Sequence, residues 1–474
     1  MSTETLACNG IDGATGRPLL PDLTVEDVAR IAQGFAPEPS HLNELRYRRD
    51  AGASHFGVAE GVDPKDLAQT GWGVVFAQAD GDRVDAIREA LGELLAHRRS
   101  QAGERYREYA GENGYKAGES KPKFLARHGA GPGPVDPDKV PYYLLLVGSP
   151  ESIPYRLQYQ LDVAYAVGRL WFDSLDDYAA YARSVVAAET GAVRRGRGIS
   201  LFGVRNPDDR ATQLAAAELL LPLGEALAAA HPGWSVETRV GEQARKADLA
   251  GVLANADSRD PALLFTSSHG MGFPADDPRQ IPHGGALLCQ DWRGPKEGAG
   301  HPISEADYFS ADDVTADARL HGLVSFHFAC YGAGTPQSDD FSHRAGAERR
   351  EIAPRPFVAR LPQRLLSHPR GGALAVVGHV DRAWGYSFGW PGAGRQLTVF
   401  TSALKRLLEG HPLGSALEPF HQRYSELAAD LKETLEAVES GMQPDPAELA
   451  GLWTATHDAK NYIILGDPAV RLAV

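Results

Sequence analysis

The chain has 474 residues, of which 43% are hydrophobic and 23% are charged, as in an ordinary globular protein. Its formal net charge of −14 argues against nucleic acid and anionic membranes as main partners, because both attract positively charged surfaces. The three cysteines (Cys8, Cys289 and Cys330) show no CxxC spacing, so neither a disulfide framework nor a structural zinc site is expected. The N-terminus has no basic segment followed by an apolar one, so we expect no signal peptide and a cytoplasmic location.

Short apolar runs alternate with helical patterns from residue 71 onward. The first run, at 71–79, predicts a strand, and the apolar spacing in 82–110 predicts one long amphipathic helix. The Gly- and Pro-rich stretch 110–141 predicts an exposed loop. Further apolar runs predict strands buried on both faces: YYLLLVG (142–148), RGISLFGV (197–204), PALLFTSS (261–268), LVSFHFA (323–329) and GGALAVVG (371–378).

Helical patterns separate these runs and dominate the C-terminal third. Strands that alternate with helices indicate an α/β fold with a mainly parallel sheet, flanked by helices on both faces. We predict an N-terminal extension or degenerate α/β subdomain at 1–135 and the main domain at 136–474. Polar stretches within the main domain predict an insertion at about 273–320 and a loop at about 334–356.

Two of the predicted strands end in reactive residues. PALLFTSS is followed by His269 and Gly270, and LVSFHFA is followed by Cys330. Active-site residues of a parallel sheet gather beyond the carboxyl ends of its strands. A thiolate can attack a carbonyl, an imidazole can give a proton to the leaving amine, and backbone N–H groups can hold the oxyanion. Taken singly, the cysteine fits a buried, inert thiol and the His-Gly pair fits a turn; together they favour a catalytic pair.

Several stretches around these residues resemble the caspase-like (clan CD) cysteine peptidases of the gingipain type. They are, in the family's order, YYLLLVGSPESIP, DVAYAVGRLWFDSLDDYAAYARSVVAAE, SSHGMG, HFACYGAG and NYIILGDPAVRL. The resemblance covers the chain from about residue 142 to its end and implies a caspase-like fold. It implies that Cys330 is the nucleophile and His269 the general acid/base, with the N–H groups of Gly270 and Cys330 forming the oxyanion hole.

The resemblance also implies finer assignments. Asp177 matches the acidic base of the S1 pocket in Arg-specific members, and Trp384 matches an aromatic wall of the substrate pocket. The glutamate that orients the histidine in the family falls near Ala164 here, where Asp162 could replace it. The expected activity is cleavage of proteins after Arg or Lys, without a cofactor or a metal in the chemistry. Acidic pairs in the insertion leave a structural Ca²⁺ open.

The loop after Cys330 carries three arginines, Arg344, Arg349 and Arg350. A long polar loop beside an active site is typical of a lid or a processing loop. We therefore expect a zymogen-like protease that is activated by cleavage there or in the 273–320 insertion, by itself or by an upstream protease. By analogy it would act on protein substrates in a bacterial signalling, defence or cell-death cascade. The alternatives are a non-catalytic caspase-like scaffold and a cysteine hydrolase that acts on something other than a peptide.

Overall fold

A computed structural model describes residues 8–20, 23–34, 57–256, 259–298, 300–342, 350–390 and 392–474. Its strands are β1 Gly10–Asp12, β2 Arg17–Pro18, β3 Trp72–Phe76, β4 Tyr106–Tyr109, β5 Tyr143–Val147, β6 Ala166–Leu170, β7 Gly196–Gly203, β8 Ser235–Val240, β9 Pro261–Ser267, β10 Gly270–Gly272, β11 Leu287–Leu288, β12 Tyr308–Phe309, β13 Val324–Phe328, β14 Gly334–Thr335, β15 Phe357–Val358, β16 Ala375–His379, β17 Gly389–Trp390, β18 Gly394–Arg395 and β19 Tyr462–Gly466.

Its helices are α1 Val25–Gln33, α2 Leu67–Thr70, α3 Arg83–Ala90, α4 Gly92–Ala102, α5 Lys121–Arg127, α6 Tyr155–Asp162, α7 Leu175–Glu189, α8 Arg210–Ala230, α9 Lys246–Ala254, α10 Gln280–His283, α11 Pro295–Gly298, α12 Arg360–Leu366, α13 Thr398–Leu408, α14 Leu413–Ala416, α15 Glu418–Glu439 and α16 Pro446–Lys460. The turn Ala215–Leu220 inside α8 is π-helical.

A ten-stranded sheet in the order β4-β3-β5-β6-β19-β16-β13-β9-β7-β8 forms the centre of the protein. All neighbouring pairs are parallel except β16 and β19, which are antiparallel. The sheet therefore consists of two parallel halves that run in opposite directions. This is the mainly parallel, helix-flanked α/β fold that the sequence predicts.

Apolar runs become central strands because both of their faces lie under helices. Every residue of β5, β9, β13 and β16 is buried. Helix α8 is long and apolar enough to cross a membrane by length and composition alone. In this fold its Leu219, Leu220 and Leu223 are fully buried and belong to the main hydrophobic core.

The region before residue 135 departs from its prediction in three ways. The predicted helix 82–110 is two helices and a strand, because Leu91 separates α3 from α4 and Gly103, with φ of 54°, ends α4. The predicted exposed loop contains α5, whose buried Phe124 packs edge-on against Tyr109. Strands β3 and β4 belong to the main sheet, so the boundary expected at residue 135 falls within one continuous sheet.

A second, five-stranded sheet in the order β12-β11-β10-β1-β2 covers one end of the main sheet. Strands β11 and β12 come from the predicted insertion, whereas β1 comes from the N-terminus and pairs in parallel with β10. The small core of this sheet includes Ile11 from β1, Met271 from β10, and Leu288, Trp292 and Tyr308 from the insertion. The insertion is thus a folded layer that uses an N-terminal strand.

Candidate active site

The register of β9 and β13 brings His269 and Cys330 side by side. These strands are parallel neighbours, and Ser267 pairs with Phe328. His269 lies two residues after Ser267, and Cys330 lies two residues after Phe328, so both residues leave the sheet at the same level. Both side chains are buried, with 1% of His269 and 0% of Cys330 exposed.

Gly270 lies directly against the backbone of Cys330. A Cβ atom at position 270 would lie 1.6 Å from the Cys330 carbonyl oxygen, so no residue with a side chain fits without a backbone shift. The close approach places the N–H groups of Gly270 and Cys330 together, and both donate to the carbonyl oxygen of Asn9. Tyr331 turns the chain away from the strand with φ of 58°, a conformation that is uncommon outside glycine.

Asp209 holds the imidazole of His269. Its Oδ2 accepts from Nε2 of His269 at 2.6 Å and from the Thr212 hydroxyl at 2.6 Å, at the N-cap of α8. Burial opposes ionisation of Asp209, but the charge and hydrogen bond of His269, with further hydrogen bonds from Thr212 and Ala211, hold its pKa below the ordinary value. This bond fixes a proton on Nε2. Nδ1 is buried and has no hydrogen-bond partner among the described residues, so it is free to face a reacting group.

The N-terminal segment 8–12 occupies the space in front of these groups. The carbonyl oxygen of Asn9 accepts from the N–H of Gly270 at 3.2 Å and from the N–H of Cys330 at 3.1 Å. The N–H of Asn9 donates to the carbonyl of Ala383 at 3.0 Å. Two converging N–H donors on one carbonyl oxygen are the arrangement of an oxyanion hole.

The residues on both sides of Asn9 continue along the same cleft. Cys8 forms an antiparallel bridge with Trp384, and its Sγ lies 3.6 Å from Sγ of Cys330. Gly10 pairs with Gly270, and a Cβ at position 10 would lie 3.0 Å from Sγ of Cys330. Segment 8–12 therefore runs through the cleft as an extended strand, with the Asn9–Gly10 peptide bond beside the thiol.

The buried surroundings of Cys330 disfavour ionisation of its thiol. Burial, followed by the neighbouring Cys8 thiol, raises the pKa of Cys330 well above its ordinary value. The N–H of Ala383 donates to Sγ at 3.2 Å and opposes this effect only in part. Segment 8–12 therefore disfavours the thiolate form of Cys330, which is the nucleophilic one.

The structure places the other predicted site residues away from His269. Asp162, at the end of α6, makes no hydrogen bond to His269, and burial raises its pKa well above the ordinary value; Asp209 orients the histidine instead. Asp177 is in the first turn of α7, which follows the carboxyl end of β6. Because β6 runs opposite to β13, this end lies at the sheet edge remote from Cys330, so Asp177 is not in the cleft.

Trp384 borders the cleft through its backbone. Its ring is buried and packs on Phe341, with ring centroids 4.7 Å apart, while its main chain pairs with Cys8. Arg344 and Arg349 of the predicted processing loop lie outside the described residues, and Arg350 is exposed. The loop begins and ends in the paired strands β14 and β15.

Three features of the site were missed by sequence reasoning. Asp209 belongs to the NPDD stretch 206–209, which begins one residue beyond the apolar run 197–204. Strand β7 is the neighbour of β9, so the carboxyl end of β7 reaches His269. The order of the strands, which the sequence does not show, was the missing information. Segment 8–12 and Ala383 gave no signal at all, because their contribution is made by backbone atoms.

In the part of the chain that the structure describes, no group of three or more His, Cys, Asp or Glu side chains is placed to hold a metal ion. No family model and no curated protein matches the chain.

Solved structures with a similar shape include a protein described as a protease, at a TM-score of 0.47 and 12% identity over 86% of this chain and 80% of that chain. The Arg-specific cysteine proteinase gingipain R matches with a TM-score of 0.41 and 11% sequence identity, over 85% of this chain and 78% of that chain. The complex of the pro- and mature domains of RgpB from Porphyromonas gingivalis matches with a TM-score of 0.39 and 10% sequence identity, over 85% of this chain and 79% of that chain. At these values the site assignment rests on the geometry of this chain alone.

Proposed function

We propose that the protein is a cysteine endopeptidase with Cys330 as nucleophile and His269 as general acid/base. The observation that carries the proposal is the Asn9 carbonyl oxygen, which accepts both the Gly270 and the Cys330 N–H groups. A cysteine peptidase binds the peptide bond that it cleaves in this way, with the carbonyl oxygen on two N–H donors beside the cysteine and the histidine.

The chemistry follows from the positions of these groups. Nδ1 of His269 takes the proton of the Cys330 thiol, the sulfur attacks the carbonyl carbon, and the two N–H groups stabilise the negative charge that develops on the oxygen. Nδ1 of His269 gives a proton to the leaving amine, while Asp209 stabilises the imidazolium through Nε2. Water then hydrolyses the thioester, with His269 taking a proton from it.

A preference for Arg or Lys is part of the proposal, with Asp381 in the role that the sequence assigned to Asp177. Asp381 is buried, its carbonyl accepts the N–H of Tyr331 at 2.9 Å, and it lies two residues before the Ala383 carbonyl that binds Asn9. Burial raises the pKa of Asp381 to about 6 against the opposing charge of Arg382, whose Nη1 lies 3.5 Å from Oδ1 of Asp381. At neutral pH Asp381 is mainly a carboxylate, and in this proposal a basic substrate side chain shares it with Arg382.

We also propose that the form described by the structure is latent, because segment 8–12 fills the cleft. Asn9 is a poor match for a site that prefers basic residues, so the segment would block the cleft without being cut. Activation requires displacement of the segment, either directly or after cleavage in the 334–356 loop or the 273–320 insertion by an upstream protease. Cytoplasmic location, protein substrates and a role in a bacterial signalling or defence cascade belong to this proposal.

Peptidase activity can be tested with the segment displaced. Valine at position 10 would collide with Leu19 Cδ1 at 2.4 Å and with Sγ of Cys330 at 3.0 Å, so Gly10→Val should open the cleft. Fluorogenic peptides ending in Arg, Lys or Asp are then assayed with wild type, Gly10→Val and Gly10→Val/Cys330→Ala. We expect cleavage after Arg and Lys by Gly10→Val and none by the double variant.

Labelling gives a second readout. An arginyl chloromethyl ketone should attach to Cys330 of Gly10→Val faster than to that of wild type. If no peptide is cut and neither protein is labelled, the peptidase proposal is wrong and the scaffold alternative is favoured. Cleavage by the double variant would show that Cys330 is not the nucleophile.

A further inference from the structure

The thiol of Cys8 meets the nucleophile in the centre of the cleft. The two sulfurs are 3.6 Å apart although the residues are 322 positions apart in the chain. Cys8 is half-buried, whereas Cys330 is fully buried. An S–S bond is about 2.05 Å long, so the sulfurs need to approach by about 1.5 Å, within the reach of side-chain rotation and a small strand shift.

Only the backbone of residue 8 is needed to continue the strand. Cys8 bridges to Trp384 through main-chain atoms, and the oxyanion hole is filled by the next residue, Asn9. The thiol side chain of Cys8 is therefore not needed for the main-chain pairing of the segment, and it lies against Sγ of Cys330. The remaining cysteine, Cys289, lies elsewhere and points its thiol at the carbonyl of Leu287.

We propose that Cys8 and Cys330 are a modification site at which a peroxide-class oxidant forms a reversible disulfide, which locks segment 8–12 onto the nucleophile. The disulfide itself does not depend on peptidase activity, but its consequence, a locked enzyme, rests on the proposed function. The lock adds a covalent bond to a strand that is otherwise held by hydrogen bonds.

The reaction balances with one peroxide. The half-buried Cys8 thiolate attacks a peroxide oxygen, so that an S–O bond forms, the O–O bond breaks and one water leaves after protonation. The Cys330 sulfur then attacks the Cys8 sulfur, the S–S bond forms, the S–O bond breaks and a second water leaves with the Cys330 proton. The two thiols lose two electrons in total, and hydrogen peroxide is reduced to two waters.

The order of attack follows from exposure. Solvent reaches Cys8, whereas no surface of Cys330 is accessible, so the oxidant reacts first at Cys8. The nucleophile is thereby consumed as a disulfide, which a dithiol can reverse, and is shielded from oxidation to sulfinic acid, which a dithiol cannot reverse.

The test is a mass-spectrometric map of the full chain after oxidation. Wild type, Cys8→Ser and Cys289→Ser are reduced, treated with hydrogen peroxide, blocked with N-ethylmaleimide and digested without reductant. We expect a linked peptide pair containing Cys8 and Cys330 in wild type and in Cys289→Ser, and its complete loss in Cys8→Ser. Dithiothreitol should return both peptides of wild type to the free thiol form.

Three outcomes would overturn the proposal. They are oxidation of Cys8 to sulfinic acid in wild type without a linked pair, a linked pair that includes Cys289 instead, and a pair that joins two chains. Mixing isotopically light and heavy protein before oxidation separates the last outcome from an intramolecular bond. Because the readout is a covalent mass, its failure is independent of whether the protein cuts peptides.

Discussion

Replacement of Gly270 by alanine tests the closest backbone contact of the site. The new Cβ would lie 1.6 Å from the Cys330 carbonyl oxygen, and ordinary contact begins at about 3.4 Å, so the two backbones must separate by about 1.8 Å. The hydrogen bonds of 3.2 and 3.1 Å to the oxygen of Asn9 cannot both survive this movement. Overpacking of this kind costs about 1–3 kcal/mol of stability, and the loss of one oxyanion donor lowers kcat by about 10²- to 10³-fold.

Stability is measured by urea unfolding of the Gly270→Ala variant. Activity is measured as peptide cleavage by the Gly10→Val/Gly270→Ala double variant, compared with Gly10→Val. Gly251→Ala in helix α9 is the matched control, since its Cβ would meet only the Ala256 methyl at 3.9 Å. Alanine should stabilise that helix by about 0.5–1 kcal/mol. An unchanged urea midpoint together with unchanged cleavage in Gly270→Ala would refute the reasoning, because it would mean that the two backbones are not in contact.

Three other substitutions probe the site and the core. Asp209→Asn removes the charge that stabilises protonated His269, so kcat/KM in the Gly10→Val background should fall by about 10²-fold or more, with an altered pH profile and an unchanged KM; a simple loss of folded protein would not give this pattern. Asn9→Arg should turn the segment into a substrate, so mass spectrometry should find a new N-terminus at Gly10, whereas Asn9→Gln should stay intact; an intact Asn9→Arg chain would contradict the basic preference. Burial lowers the pKa of His421 to about 4. The unfolded chain binds this proton below about pH 6.5 and the folded chain only below about pH 4, so up to about 3 kcal/mol of stability is lost as pH falls through this window. His421→Gln should flatten urea stability against pH there, and an unchanged slope would argue against a neutral, buried imidazole.

The fold was predictable where hydrophobicity alone decides the structure. Runs such as LVSFHFA are apolar throughout because they lie between helices, and that pattern is local in sequence. The pairing of His269 with Cys330 needed only one further assumption, namely that β9 and β13 are neighbours. Their parallel register confirms that assumption.

The direction of the strands was not predictable, and the assignments that depended on it did not match the structure. The resemblance assigned Asp177, in the helix after β6, to the S1 pocket, but β6 and β19 run opposite to β16 and β13, so the carboxyl end of β6 lies at the other edge of the sheet. Asp209 was overlooked for a related reason, since the sequence shows that it follows a strand but not that β7 lies next to β9. Both depend on contacts between residues that are far apart in the chain.

The strand β1 contributes to a folding core and occupies the cleft at the same time. Ile11 is 1% exposed within the small core, while Asn9, two residues earlier, fills the oxyanion hole. In the proposed peptidase, displacement of β1 would expose the edge of β10, and an incoming polypeptide would complete the sheet by β-strand addition. Such a ligand must offer about five residues in extended form, roughly 17 Å of chain. Recognition through main-chain atoms on this side tolerates many sequences but not helices or closed loops, so cleavage would be confined to linkers and unfolded tails of other proteins.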